Sequence, residues 1–265
     1  MSVSGGVPPV PAVLRLVQSA VLGRWQASSD ALYRELASSI EATAGSDIVV
    51  AGCGDGVTAQ WLARRTGAHV TGVDSSGERL ASAEARGRGL GLLLSYQQSA
   101  LDDLPHETGV FDAAVGEPSI ASSSNPAKAV AELVRVTKPL RPVVLLQLTW
   151  TSGLTDATRE LLVERLGLRP RLLVEWKQML RDAGAVEITV QDWTLAPESG
   201  ARPLPGVLTW RQKMHIVARS WRRRGWRAAR GAVERETSLL QQLARERAIG
   251  FQLIRGVKWP HPKSR

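Results

Sequence analysis

The stretch SDIVVAGCGDG, residues 46–56, decides the fold. Its apolar part, IVVA, predicts a buried strand, and three glycines follow at alternate positions, Gly52, Gly54 and Gly56. Glycine adopts positive φ and lets another group approach the main chain, and the helix predicted after the turn presents unpaired N–H groups. The pattern therefore predicts a ligand cradle, although a tight turn without a ligand has the same sequence features.

Asp74 sharpens this interpretation. It lies about 20 residues after the turn, at the end of the second predicted strand, HVTGV. An acid at this place accepts hydrogen bonds from ribose hydroxyls, both in folds that bind NAD and in folds that bind S-adenosylmethionine. The spacing G-C-G-D-G differs from the G-x-G-x-x-G turn that binds a pyrophosphate, so a ligand without phosphates, such as an adenosyl amino acid, fits better.

Strands and helices alternate from residue 47 to residue 191, which is typical of a parallel, doubly wound α/β sheet. The patterns predict strands over 47–51, 69–73, 92–97, 110–115, 143–149, 185–191 and 249–257. They predict helices over 57–66, 77–87, 126–136 and 170–183, two helical pieces within 12–43, and a helical pair at roughly 209–229 and 232–247.

Charge is spread unevenly along the 265 residues, whose net charge is +9. Residues 201–265 hold sixteen Lys or Arg and three Asp or Glu, a net charge of +13, so the remainder is mildly acidic. Such asymmetry indicates an anionic partner and says little about the fold.

Cysteine and histidine usage predicts neither a disulfide nor a metal site, because Cys53 is the single cysteine and the four histidines lack ligand spacing. The sequence has no run of about 18 apolar residues, and its N-terminus lacks the basic region of a secretory signal. We therefore expect a cytoplasmic protein that uses a cofactor.

Residues 47–150 resemble the core of class I S-adenosylmethionine-dependent methyltransferases, most of all the small-molecule group that includes the ubiquinone, menaquinone, sarcosine and arsenite enzymes. The matching motifs are VVAGCGDG (49–56), Gly72-Val73-Asp74, Leu104-Pro105, Phe111-Asp112 and ELVRVTKP (132–139). Residues 176–190 are similar to the helix and turn before the family's sixth strand, and 249–259 to its seventh strand. The resemblance implies a Rossmann-like, mostly parallel seven-stranded sheet with an antiparallel last strand.

The resemblance also implies a cofactor, S-adenosyl-L-methionine, with S-adenosyl-L-homocysteine as its product. Asp74 would bind the ribose, and the full set of implied cofactor contacts is Gly52, Cys53, Gly54, Gly56, Asp74, Ser75, Ala100, Leu101 and Glu117. Glu117, after the fourth strand, is also the candidate catalytic residue on the acceptor side, and a solvated loop acid is the alternative. We expect Cys53 to be a small buried residue and not a nucleophile, and His106 to be a surface loop residue.

Three positions depart from the family pattern. Val50 stands where an acid helps to hold the methionine amino group, Ala100 stands where an Asp bonds the adenine amino group, and Leu140 replaces a glycine turn. Loss of one good hydrogen bond to a charged group weakens binding by about 1.5–3 kcal/mol. Either another residue substitutes, or affinity is modest and the chain is a methyltransferase-like cofactor-binding protein without transfer activity.

The second unusual stretch is RQKMHIVARSWRRRGWRAAR (211–230), which is basic, rich in tryptophan and helical in its spacing. We expect an N-terminal helical cap (1–45), a cofactor-binding domain (46–195 and 248–260) and a helical insert (196–247). The insert is a candidate wall for a small-molecule acceptor of lipophilic or anionic character. The alternatives are a peripheral contact with an anionic membrane, nucleic-acid binding by a nucleic-acid-modifying methyltransferase, and an ordinary packed helix pair with solvated arginines.

Overall fold

The computed structural model describes residues 32–150, 170–193 and 249–260, together with five positions between 155 and 163. Residues 32–39 are helical, as predicted for the second helical piece of the N-terminal region. The first helical piece and the helical pair within 209–247 lie outside the described residues. The bounds of the helical cap and of the insert therefore stay predictions.

One mixed sheet of eight strands forms the centre of the described structure. The strands are β1 (Asp47–Ala51), β2 (His69–Asp74), β3 (Leu94–Gln98), β4 (Ala113–Gly116), β5 (Pro142–Trp150), β6 (Arg171–Leu172), β7 (Ala185–Asp192) and β8 (Ile249–Lys258). Seven of them follow the order β3-β2-β1-β4-β5-β8-β7, and the remaining strand, β6, pairs in parallel with the end of β5. Neighbours from β3 to β5 are parallel, and β7 and β8 are antiparallel. The predicted mostly parallel, Rossmann-like sheet with an antiparallel last strand is confirmed.

Helices connect the parallel strands, and two of them begin at a residue whose side chain caps the first turn. Ser76 Oγ accepts a hydrogen bond from the Arg79 amide at 3.4 Å, and Asn125 Oδ1 accepts one from the Lys128 amide at 3.0 Å. These side chains satisfy amides that the first helical turn leaves without partners. The helices are α1 (Val57–Thr66), α2 (Gly77–Gly87), α3 (Pro126–Val136) and α4 (Leu173–Asp182), and a 3-10 turn, Pro118–Ser122, follows β4.

The core lies where α3 and α4 pack against the middle of the sheet. Strand β5 is buried along its whole length, as its apolar sequence predicts. Leu133 from α3 and Trp176 and Leu180 from α4 have no exposed surface in the same cluster. Because burial of one such side chain contributes about 1.5–3 kcal/mol, this cluster fixes the sheet on which the site is built.

Two predicted elements begin three residues later than expected, and the strand predicted over 92–97 begins two residues later, at Leu94. The strand predicted over 110–115 begins at Ala113, because Phe111 makes a single bridge to Thr137 and the Asp112 carboxylate accepts a hydrogen bond from the Asp47 amide at 3.0 Å. The helix predicted over 170–183 begins at Leu173, since the two preceding residues extend beside β5 as β6.

A set of ion pairs at the amino edge of the sheet explains the ELVRVTKP motif. We call Asp112, Glu132, Arg135 and Lys138 the amino-edge cluster. The guanidinium of Arg135 donates to both carboxylate oxygens of Glu132 at 2.7 Å, and to the carbonyls of Leu104 and His106 at 3.0 and 2.7 Å. The Lys138 ammonium donates to Asp112 at 2.8 Å. The motif therefore ties the loop before β4 to α3, away from the glycine turn.

His106 belongs to this loop, and the expectation of an exposed residue is wrong. Its ring is half-buried and lies edge-on to Phe111, with 5.0 Å between ring centroids. Burial, and secondarily the charge of Arg135, lower the pKa of His106. The packing of His106 is therefore that of a structural side chain.

Candidate cofactor site

The turns after β1 and β2 meet because these strands are parallel neighbours whose carboxyl ends lie at one edge of the sheet. The carboxylate of Asp74 joins them: its Oδ2 accepts from the Gly54 amide and its Oδ1 from the Ser76 amide, both at 2.9 Å. The amide of Gly52 donates to the Val73 carbonyl at 2.7 Å. Asp74, which is 3% exposed, is thus held at the tip of the first turn.

The three glycines of the turn have positive φ, of 75° at Gly52, 52° at Gly54 and 75° at Gly56. A Cβ at Gly52 would lie 1.9 Å from Ser119 Oγ, and one at Gly56 would lie 2.5 Å from the Tyr96 hydroxyl. Side chains of the protein therefore exclude a Cβ at these two positions. At Gly54 no atom of the described residues lies within 4 Å of a Cβ, so these residues leave the space beside this glycine open.

Cys53 is buried inside the turn, 7% exposed. Burial, and then the charges of Asp74 and Glu117, raise the pKa of its thiol to about 12. A thiol with this pKa is not a nucleophile at neutral pH, because the thiolate is the reactive form. The geometry therefore supports the expectation of a small buried residue.

The loop after β3 reaches the same edge, because the Ser99 amide donates to the Asp74 carbonyl at 3.2 Å. Of the residues predicted to contact adenine, Leu101 is buried and Ala100 is exposed. Ser75 is exposed, and its carbonyl accepts from Gln98 Nε2 at 3.1 Å. The loop can offer main-chain groups and apolar surface, while Ala100 offers no polar side chain.

Glu117 directly follows β4 and lies beside the glycine turn. Its amide donates to the Ala51 carbonyl at 3.0 Å, and its carbonyl accepts from Gln147 Nε2 at 2.8 Å. Its Cβ would lie 3.6 Å from a Cβ built at Gly52. The main chain of Glu117 is therefore fixed from two neighbouring strands.

The carboxyl group of Glu117 is not a solvated loop acid. The residue is half-buried overall, but Oε1 has no exposed surface and no hydrogen-bond partner among the described residues. Burial raises the pKa of Glu117 to about 7, against the lowering effect of a hydrogen bond with the Thr58 hydroxyl. Thr58 Oγ1 itself lies 3.5 Å from the Tyr33 hydroxyl. The site thus contains a buried oxygen acceptor to which no described residue donates.

Sequence reasoning missed Tyr96 and Gln147, which shape the site, and it placed Ser119 on the acceptor side without predicting its contact with Gly52. Ser119 Oγ donates to the Gly52 carbonyl at 3.0 Å. Gln147 carried a readable signal, because a polar residue inside the apolar strand VVLLQLT has to find a buried partner. Ser119 and Tyr96 carried none, since neither position shows from sequence that it packs against a glycine.

Within the described part of the chain, no group of three or more His, Cys, Asp or Glu residues is placed to hold a metal ion. In the same part of the chain, no helix is long and apolar enough to cross a membrane.

The residues present fit an adenosyl amino acid. The described residues leave open space against the main chain at Gly54, Asp74 offers carboxylate oxygens to a ribose, and Glu117 offers a buried acceptor to a donor group. The loop after β3 supplies the apolar surface of Leu101.

Comparison with known proteins finds similarity to methyltransferases. A family model described as a methyltransferase domain matches residues 49–140. A ubiquinone biosynthesis O-methyltransferase of Hahella chejuensis is 31% identical over 96 residues, which cover 36% of this chain and 40% of that protein. The match therefore spans about two-fifths of that relative's length.

Solved structures share the fold at low identity. The [4+2]-cyclase SpnF has a TM-score of 0.68 and 21% identity, with coverage of 97% of this chain and 99% of SpnF. Geranyl diphosphate C-methyltransferase from Streptomyces coelicolor has a TM-score of 0.64 and 18% identity, covering 86% of this chain and 76% of that one. Residues 49–140 are therefore similar to a methyltransferase domain, and the chain shares its fold with solved methyltransferases.

Proposed function

We propose that this chain is an S-adenosylmethionine-dependent methyltransferase that transfers a methyl group to a small-molecule acceptor. One observation carries the proposal: the Asp74 carboxylate lies 2.9 Å from the Gly54 amide, and the described residues leave the space beside that glycine open at the edge where the parallel strands end. Ligands of doubly wound sheets bind at this edge.

Asp74 is suited to hold the ribose while it braces the two turns. Each of its oxygens accepts one amide N–H and has lone-pair capacity left for a hydroxyl donor. The bound sulfonium would supply an activated methyl group. The chain would contribute orientation of the acceptor for in-line attack, and exclusion of water from the reacting atoms.

We propose that the methyl acceptor is a small molecule of lipophilic or anionic character. The net charge of +13 in residues 201–265 supports an anionic group on the acceptor. The names of two similar proteins point the same way, since one acts in ubiquinone biosynthesis and the other was solved with a geranyl diphosphate analogue. Salt-dependent binding of RNA or DNA by the full chain would instead support the nucleic-acid alternative.

A second candidate is a protein that binds the cofactor without transferring its methyl group. Two observations favour it: Val50 and Ala100 lack the polar side chains that hold the cofactor in the family, and SpnF, which spans nearly the same length, is named as a cyclase. This candidate predicts binding of S-adenosylhomocysteine but no labelled product.

Calorimetry with S-adenosylhomocysteine tests the binding step. We expect the wild type to bind, and Asp74→Asn to weaken binding by roughly tenfold to a hundredfold, because one charged acceptor is lost. Asp182→Asn is the matched control, since it removes an exposed acid at the end of α4 and should leave affinity unchanged. Absence of wild-type binding at millimolar ligand would overturn the proposal.

Transfer is tested separately, with methyl-labelled S-adenosylmethionine and fractionated small-molecule extract. Label in an organic-soluble or anionic product would support the transferase. Binding without label in any fraction would favour the second candidate.

A further inference from the structure

Val50 occupies the position at which related enzymes have an acid, and in this chain the residue is apolar and buried. Val50 has no exposed surface and pairs in register with Gly72 on β2 and with Val115 on β4. No carboxylate from β1 can therefore reach the amino group of a bound adenosyl amino acid.

The acids next to the glycine turn include Asp55, Asp74 and Glu117, whose charges act on Cys53 inside it. Asp55 is exposed, and Asp74 already accepts a main-chain N–H on each oxygen. Glu117 differs from both, because its Oε1 is buried and lacks a partner among the described residues. An unpaired buried acceptor is costly unless a ligand completes it, which makes Glu117 the acid that is prepared for a donor.

The position of Glu117 matches that of the absent acid. Its amide is bonded to the Ala51 carbonyl, one residue after Val50, and its side chain leaves the main chain beside Gly52. We propose that Glu117 binds the α-ammonium group of S-adenosylmethionine and so replaces the carboxylate missing at position 50. The inference rests on the proposed function.

The raised pKa of Glu117 is that of a buried carboxyl group without a cation beside it. Burial raises the pKa of Glu117 to about 7, and an ammonium partner would lower it again by favouring the ionised form. The other titratable groups around it are Tyr33 from residues 32–39, Cys53 in the turn, and Asp74 across the turn. Burial raises the pKa of Tyr33 and of Cys53, so neither changes charge between pH 6 and pH 8.

Two ligands that differ in the amino-acid portion separate this role from a general loss of the site. S-adenosylhomocysteine carries the ammonium, whereas 5′-methylthioadenosine carries the same adenosine and sulfur without it. We expect Glu117→Gln to weaken the binding of S-adenosylhomocysteine by roughly tenfold to a hundredfold, and to leave the affinity for methylthioadenosine unchanged. Glu84→Gln, an exposed acid on α2, is the matched control and should change neither.

The pH dependence gives a readout independent of activity. Between pH 8 and pH 6 the wild type should lose about tenfold in affinity for S-adenosylhomocysteine, because a carboxyl group with a pKa near 7 has to ionise on binding. The binding heat should also vary with the ionisation enthalpy of the buffer, and Glu117→Gln should lose both effects.

Wild-type binding that Glu117→Gln leaves unchanged would overturn the inference while the proposed function stands. Equal weakening of both ligands would overturn it too, since Glu117 would then support the site as a whole. Absence of wild-type binding would instead contradict the proposed function.

Discussion

The acidic side chains at the amino edge and at the carboxyl edge of the same sheet differ in how fully their oxygens are hydrogen-bonded. In the amino-edge cluster, both oxygens of Glu132 are bonded by Arg135, and both oxygens of Asp112 accept a donor. At the carboxyl edge, Glu117 Oε1 is buried without a partner among the described residues. A satisfied network holds a fold, whereas an unsatisfied buried acceptor is prepared for a ligand.

The two edges therefore respond to pH with opposite signs. The hydrogen bond with Arg135 lowers the pKa of Glu132, so its contribution to stability is present above the ordinary carboxyl range and is lost as pH falls through the lowered pKa. Burial raises the pKa of Glu117, so it keeps its proton in the folded state while the unfolded chain ionises. Stability at that edge is lost as pH rises towards 7.

The largest expected effect is this pH-linked loss at Glu117. Between its ordinary pKa of 4.5 and its folded value of about 7, the wild type should lose about 3 kcal/mol of unfolding free energy relative to Glu117→Gln. Urea unfolding of both proteins at several pH values measures it. Parallel pH profiles for the two proteins would show that Glu117 is not a buried, unpaired acid.

Gly54 and Gly56 lie in the same turn, but among the described residues only a Cβ at Gly56 would meet neighbouring atoms. Gly56→Ala should cost about 2–3 kcal/mol, because its φ is 75° and its Cβ would meet the Tyr96 hydroxyl and Ala83 Cβ at 2.5 and 2.8 Å. Gly54→Ala should lower the free energy of unfolding by about 1 kcal/mol, from positive φ alone. It should nevertheless weaken the binding of S-adenosylhomocysteine more than Gly56→Ala does. Thermal unfolding and calorimetry together test this; equal losses of stability would contradict it.

Substitution of Arg135 tests whether the amino-edge cluster contributes to stability and not to cofactor binding. Arg135→Met removes the two guanidinium donors to Glu132 and the donors to two loop carbonyls, while the Leu104 amide still donates to Glu132 Oε2. It should cost about 2 kcal/mol, a value reduced because the Arg135 side chain is 33% exposed. Affinity for S-adenosylhomocysteine should stay the same in the folded protein. Arg86→Met, an exposed residue in the last turn of α2, is the control and should have little effect on stability. A loss of affinity as large as that of Asp74→Asn would contradict the separation of the two edges.

The smallest effect is expected at Leu140, where the family has a glycine turn. Leu140 has a φ of 62° and is 62% exposed, so Leu140→Gly removes backbone strain without opening a cavity. We expect a gain of about 0.5–1 kcal/mol, with part of the strain relief offset by the greater freedom of glycine in the unfolded chain. A measured loss of stability would contradict this account of backbone strain at Leu140.

The sequence predicted the elements that have local causes. Helices α1, α2 and α3 have the predicted bounds because Gly56, Ser76 and Asn125 act through residues next to them in the chain. Strand β6 was missed, since two residues beside β5 have no periodicity of their own. The partnerless oxygen of Glu117 and the contact of Ser119 with Gly52 depend on residues more than 50 positions apart, which local patterns do not report.

A crystal structure of the full chain with S-adenosylhomocysteine tests the central claim most directly. The ribose hydroxyls should lie within about 3 Å of the Asp74 carboxylate, and the homocysteine portion should lie against the main chain at Gly54. A complex in which the adenosyl group binds elsewhere, or in which Asp74 makes no contact with it, would contradict the account.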